Sequence, residues 1–315
     1  MFIFYDSEAT GLNREFCQVL QLAFVCTDEN LKPTSTKDIS ARCNPWTIPS
    51  PGALLITGFT PDDLKKAPAS HFEMMQEVDG WLRSRAWPVT FIGYNTMNFD
   101  EDVLRQAFHQ TLLDPYLTIG RKEAAANPNT RADLLKIVKA TAVYAPGTIK
   151  LDLKNEFGTP SLSLGNVTRQ NGVGLSEDEA HDAMADTMAT LALAKLIKTA
   201  APAVWDHMMK LTSKEGVEDF FDQNKVFAFT DYAYGKPDNR LMTALMPFNG
   251  TQHVICDLSR DPAEILSKTV EELAYIFKAR GEERFGQPLR TISRNKQPIL
   301  MPLEMADPVR PAGLD

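Results

Sequence analysis

The run FIFYDSEATG, residues 2–11, opens with aromatic and β-branched residues, as a strand does, and breaks at Thr10-Gly11. A strand sends alternate side chains to opposite faces, so Asp6 and Glu8 leave it on one face, about 7 Å apart at the backbone. Two carboxylates so placed repel each other unless a cation lies between them. Taken alone, the pair is equally at home on a solvated strand end. Gly11 lets the chain turn away and leaves the two acids open.

The pattern continues outward from that strand. VLQLAFVCTD (19–28) reads as a second strand and TKDISARCN (36–44) as a third, and their short connections favour antiparallel neighbours. PDDLKKA (61–67) and HFEMMQEVDGWLRS (71–84) are helical, the first with Pro at its start. VTFIGYN (89–95) is a buried strand, and FDEDVLRQAFHQTL (99–112) is a helix that opens with acids. Three more helices are expected at 130–144, 161–172 and 181–200. These elements predict an α/β domain over residues 1–200. After Pro202 the texture changes. Short strands at 225–233, 239–248, 253–259 and 289–294, with helices at 203–211, 214–222 and 268–280, predict a smaller α+β domain over 201–300. From Met301 the prolines suggest an extended tail, 301–315.

Composition narrows the classes. The chain has 315 residues, 43% of them hydrophobic and 23% charged, as expected of globular domains with sizeable cores. No apolar run approaches the ~18 residues of a membrane span. The N-terminal residues show no basic n-region or cleavage site. Cys17, Cys26, Cys43 and Cys256 are widely spaced, which excludes zinc ribbons and disulfide scaffolds. A reducing cytoplasm is the expected location. The net charge of −8 argues against binding nucleic acid by bulk charge. The stretch from Lys278 to Lys296 is the exception, with Arg280, Arg284, Arg290 and Arg294 inside it. Strand alternation puts Arg290, Ile292 and Arg294 on one face, with Lys296 in register. That face reads either as a phosphate-contacting ridge or as a charged edge that resists aggregation.

Two further acidic blocks join the first. GYNTMNFDEDV (93–103) places Asp100 where a strand ends and a helix begins, with Glu101 and Asp102 beside it as dipole-favoured acids. HDAMAD (181–186) puts His181 before a long helix, Asp182 at its N-cap and Asp186 inside it. His71, His109, His207 and His253 have no ligand spacing and read as structural or surface residues. Trp46, Trp81, Trp87 and Trp205 could stack on bases, but each reads more readily as core.

DxExTG, NxxxFD and HxAxxD, in that order, resemble the DEDDh exonucleases of the RNase H-like superfamily. PGALLITGFTP (51–61), GYNTMNFDEDV (93–103), DLLKIVKATAVYAPGTI (133–149) and AHDAMADTMATLALAKLIKT (180–199) resemble the bacterial exodeoxyribonuclease I family more closely. The part after residue 202 is similar to that family's SH3-like domain. The resemblance implies an RNase H-like mixed sheet flanked by helices, followed by the SH3-like α+β domain. It implies a metal-dependent 3′→5′ exonuclease that degrades single-stranded DNA to 5′-mononucleotides by two-metal-ion hydrolysis. Asp6, Glu8 and Asp186 are then metal ligands, Asp6 reaching both ions, Asp100 completes the four acids through water, and His181 is the general base. Two Mg²⁺ ions, replaceable by Mn²⁺, are the implied cofactors. Leu55 and Thr57, in the run Leu54-Leu55-Ile56-Thr57, sit where the family packs the terminal base and sugar, and Asn95 and Phe99 lie near the scissile nucleotide. The Leu and Ile side chains and Phe99 also suit a core. Single-stranded DNA is the implied partner, together with a single-stranded-DNA-binding protein; no membrane is involved. The family carries a further helical domain beyond the SH3-like one, and bulkier residues at Ala9 and Thr10, so grip and unwinding are expected to differ here. Two other readings share these residues: an exoribonuclease on short RNA, or a non-catalytic nucleic-acid-binding protein on the same fold. The full acid set with His181 disfavours the latter, because a pure binder has no use for self-repelling carboxylates.

Overall fold

A computed structural model describes residues 1–119, 129–174, 182–233, 235–279 and 282–307. The chain forms two units, one of Met1–Leu134 with Ser163–Leu196, the other of Leu135–Leu162 with Ile197 onward. The segment 135–162 thus packs with the C-terminal unit, whereas the sequence alone placed it within 1–200. The reason is local to the second unit: the hydroxyls of Tyr144 and Thr230 share a 2.6 Å hydrogen bond, and Tyr232 Oη donates to the Lys139 carbonyl at 3.2 Å.

In the first unit, β1 (Phe2–Ala9), β2 (Val19–Thr27) and β3 (Pro33–Ser40) form an antiparallel meander. Three helices follow: α1 (Pro51–Thr57), α2 (Pro61–Lys66) and α3 (His71–Arg83). Then come β4 (Thr90–Gly93), α4 (Asp100–Gln110) and β5 (Thr130–Asp133). The sheet order is β3-β2-β1-β4-β5, with β1, β4 and β5 parallel. The sheet is mixed and flanked by helices, as expected. Every residue of β2 is buried, because helices leave no face of a central strand to water. Tyr5, Phe24 and Phe91 meet ring to ring in the core beneath β1, and Met75, Val103 and Phe108 pack with them.

β5 is a correction. Residues 130–144 were expected to be one helix; the first four instead extend the sheet, and α5 (Leu134–Tyr144) begins only after Asp133. A four-residue buried parallel strand has no alternation to betray it. The helices α6 (Leu164–Gln170) and α7 (Ala183–Ala200) follow in sequence.

The second unit contains α8 (Pro202–Lys210), α9 (Lys214–Gln223), β6 (Phe227–Ala233), β7 (Lys236–Pro247), β8 (Gln252–Asp257), α10 (Pro262–Leu266), α11 (Val270–Lys278), β9 (Leu289–Ser293) and β10 (Ile299–Pro302). Its antiparallel sheet has the order β10-β6-β7-β8-β9. β10 corrects the expected tail from Met301: Ile299, Leu300, Met301 and Pro302 are all buried against β6, where Pro302, at the strand's end, is tolerated. Residues 308–315 of that tail lie outside the described residues. No helix among the described residues is long and apolar enough to cross a membrane.

Candidate metal centre

The site starts from the pairing of β1. Its antiparallel register sets Asp6 against Ala23 and Glu8 against Gln21 on β2. Gln21 is a polar side chain in an otherwise apolar strand, and it ties three segments together. Its Nε2 donates to Asp182 Oδ2 at 2.9 Å and to Asp38 Oδ1 at 3.0 Å, and its Oε1 accepts from Ala183 N at 3.3 Å. Asp182 Oδ1 in turn accepts from Ala185 N at 2.9 Å, the N-cap role read from the sequence. The start of α7 is thereby fixed over β1, and Asp186 in its first turn comes to the strand acids. Carboxylate oxygens of Asp6, Glu8 and Asp186 all lie within 4.8 Å of one another.

Asp100 arrives by a different route. β4 ends at Gly93, where an added Cβ would meet the Thr96 side chain at 2.1 Å, so only glycine fits. Asn95 takes a left-handed conformation (φ 63°), and its N–H donates to Asp133 Oδ1 at 2.8 Å, which turns the chain into α4. Asp100 opens that helix, buried, and accepts a 2.6 Å hydrogen bond from Ser7 Oγ, the residue between the two strand acids. Ser7 and Gln21 were not singled out in the sequence. The available signal was, for Gln21, a polar side chain in the middle of a mostly apolar strand; Ser7 stands between two acids, where nothing marks it out.

Burial, then the neighbouring carboxylates, drives the charge state. Glu8 is pushed up to about 8, first by burial and then by Asp186, Asp100 and Asp182. Asp6 is raised well above the carboxylate range by burial, Asp100, Asp186 and Glu8. Asp100 rises to about 6, chiefly through burial, although Ser7 opposes the shift. A raised carboxyl favours the folded state only while it stays protonated. The metal-free protein should therefore lose stability as pH climbs from about 4 towards 8. A bound divalent cation removes that penalty. We expect Mg²⁺ or Mn²⁺ to raise the melting temperature more at pH 8 than at pH 5, measured by thermal scans with and without chelator. A concentration a hundredfold over Kd corresponds to about 2.7 kcal/mol. An equal shift at both pH values would refute the assignment. The donor set, three carboxylates converging on one point, fits a hard divalent ion.

The other expected residues divide. Leu55 is 86% exposed on α1, a helix with no buried residue, and Ile56 is exposed beside it, so the core reading of this run is overturned. Thr57 is half-buried at the end of the same helix. Asn95 is exposed, whereas Phe99 packs against the core. Trp46 is exposed, contrary to its core reading; Trp81 and Trp87 pack on the core, and Trp205 is buried. His181 lies outside the described residues. Arg290 and Arg294 do not form a phosphate ridge. Arg290 is 2% exposed, and its Nη2 meets Asp238 Oδ2 at 2.8 Å. Arg294 pairs with Glu218 and donates to the Asn249 carbonyl. Arg290 and Ile292 share the buried face of β9, whereas Arg294 and Lys296 lie past its end in a 3-10 turn, and acids from β6, β7 and α9 pair with the two arginines.

Comparison with known proteins gives two family matches. Residues 3–194 match the model described as "Exonuclease", and residues 213–314 match "Exonuclease I SH3-like domain". An Exodeoxyribonuclease I of Buchnera aphidicola (subsp. Schizaphis graminum) is 30% identical over 317 residues, covering 96% of this chain and 62% of the relative. The chain thus spans somewhat less than two thirds of that protein's length. A crystal structure of E. coli Exonuclease I with a dT13 oligonucleotide superposes with a TM-score of 0.82 at 26% identity, covering 98% of this chain and 66% of that one. A zinc-bound form of the E. coli enzyme complexed with single-stranded DNA gives a TM-score of 0.80 at 25% identity, with the same coverage.

Proposed function

The chain belongs to the exonuclease family, and from that premise we propose that it is a divalent-metal-dependent 3′→5′ exonuclease releasing 5′-mononucleotides from single-stranded DNA. The observation that carries this reading is the convergence of Asp6, Glu8 and Asp186 within 4.8 Å, with Asp100 held beside them by Ser7. Asp6, Glu8 and Asp186 would hold Mg²⁺, with Asp6 shared between two ions and Asp100 acting through water. Oxygen ligands and retained waters suit Mg²⁺ or Mn²⁺. When bound, such ions supply Lewis-acid stabilisation of charge on the attacking and leaving oxygens.

The chain's own residues do the rest. Hydrolysis joins the oxygen of a water to phosphorus and expels the 3′ oxygen of the shortened strand, which takes a proton from solvent and leaves as a hydroxyl. His181 takes the proton that the water loses, a task for which an imidazole near neutrality is suited. Gln21 keeps the start of α7 in place and so fixes Asp186 against the strand acids. Ser7 holds the Asp100 carboxylate through its hydroxyl. Leu55 and Asn95, both exposed, and Thr57, half-buried, are the residues that would meet a terminal nucleotide.

The test uses strands labelled at either end. Incubation with Mg²⁺ should release mononucleotides from 3′-labelled single-stranded DNA at once, while 5′ label stays on progressively shorter fragments. Blunt duplex should be resistant, and chelator should stop the reaction. Early release of the 5′ label would overturn the polarity, and faster cutting of RNA would reassign the substrate.

A further inference from the structure

We propose that a cavity in the exonuclease unit, walled by Phe16, Trp46 and Phe72, seats an unpaired nucleobase of the strand beside the terminal-nucleotide surface on α1, whose Pro51 it shares. The proposal rests on the nuclease reading above and names a subsite of it. The cavity measures about 1120 Å³, just above the usual range for ligand sites. Its wall begins at Thr10 and Gly11, two residues past Glu8. Two residues of strand span ~7 Å, about one nucleotide of extended backbone from the carboxylates.

Three observations select the occupant. The first is the aromatic side chains. Phe16 is 74% exposed, Trp46 79% and Phe72 56%, and all three line this one cavity. Large aromatics are normally withdrawn from water, and a group of them left open marks a binding surface. The second is charge. Among the described residues no Asp, Glu, Lys or Arg lines the wall, in a chain where 23% of residues are charged. Such a wall offers nothing to a phosphate or to a charged peptide. It suits a neutral heteroaromatic ring, which stacks on aromatic faces and meets amides such as those of Asn44 and Gln110 at its edge. The third is His71. It lies in the same wall, 5% exposed, and its Nε2 has no hydrogen-bond partner among the described residues. A buried ring nitrogen left unpaired is costly, and a base edge can supply the missing partner. Burial also lowers the His71 pKa, so the ring is neutral at pH 7 and does not act as a phosphate-binding cation.

The experiment uses the whole 315-residue chain in EDTA, so that no strand is cut. Single-stranded oligonucleotides carry 2-aminopurine at each of the last four 3′ positions in turn, and a matched set carries an abasic site there. At one position the protein should quench 2-aminopurine fluorescence. Trp46→Ala should abolish that quenching and weaken binding about 5- to 100-fold, the effect of losing one stacked base. Trp46→Phe should restore most of it. With the abasic strand at that position, wild type and Trp46→Ala should bind alike. Equal affinity of wild type and Trp46→Ala for the intact strand overturns the subsite. So does a loss of the same size on the abasic strand, which would mean that the aromatics grip something other than a base. Metal-dependent cutting by the wild type is assayed separately. If it fails while the Trp46 effect persists, the nuclease reading falls and the base site stands; if cutting proceeds without a Trp46 effect, only the subsite falls.

Discussion

Asp6→Asn is expected to bring hydrolysis of single-stranded DNA to background and, in the same protein, to raise the metal-free melting temperature at pH 8. The two effects have one origin. Asp6 lies in a half-buried cluster with Glu8 and Asp186, where desolvation, then Asp100, Asp186 and Glu8, all push its pKa upward. Removing its charge relieves repulsion in the folded state, and the unfolded chain gains nothing comparable. The same removal deletes a metal ligand. Electrostatic stabilisation of several kcal/mol is then lost from the transition state, a rate decrease of about 10³-fold or more. Turnover measured at saturating Mg²⁺ and thermal scans in chelator check both signs. The Mg²⁺-dependent rise in melting temperature should shrink as well. Retained wild-type turnover would remove Asp6 from the site.

His181→Ala is expected to cost about 10²–10⁴-fold in turnover, the usual contribution of a positioned general base. Metal binding should survive, because Asp6, Glu8 and Asp186 supply three converging carboxylates without it. The mutant should keep the Mg²⁺-induced rise in melting temperature that Asp6→Asn loses. Its pH profile separates the roles further. At saturating metal, the wild-type rate should climb through the imidazole range and level off, since only neutral histidine accepts a proton. The mutant should lack that climb. A mutant with an unchanged profile would assign the base elsewhere.

Much of this site is legible in the sequence because its parts are local. Asp6 and Glu8 need only strand alternation, and Asp182 and Asp186 need only a helix start. The less legible parts depend on partners distant in the chain. Gln21 and Asp182 are 161 residues apart, and Ser7 and Asp100 are 93 apart. Alternation correctly grouped Arg290 with Ile292 but could not say which side was inside. The acids that neutralise Arg290, Asp231 and Asp238, come from β6 and β7. β5 and β10 were hidden for a related reason. Four-residue strands, TRAD and ILMP, carry no periodic signal, and only their neighbours make them strands. Trp46 shows the opposite failure: a residue type that usually enters the core stands in water, and composition gives no warning.

The interleaving of the two units bears on how the chain matures on the ribosome. The nuclease unit is closed by Ser163–Leu196, which leaves the exit tunnel only after Leu135–Leu162 has emerged. That intervening segment belongs to the other unit, and its Tyr144 must wait for Thr230, 86 residues later, to complete its hydrogen bond. Domains usually fold one after another as they are synthesised. Here α5 emerges early with its apolar residues lacking their final neighbours. Its Ile137, Val138 and Val143 are all buried in the finished protein, in a unit that is completed only by residues from Ile197 onward. A nascent chain arrested near residue 200 should therefore resist protease poorly in 135–162 and be a good client for chaperones that bind exposed apolar helices.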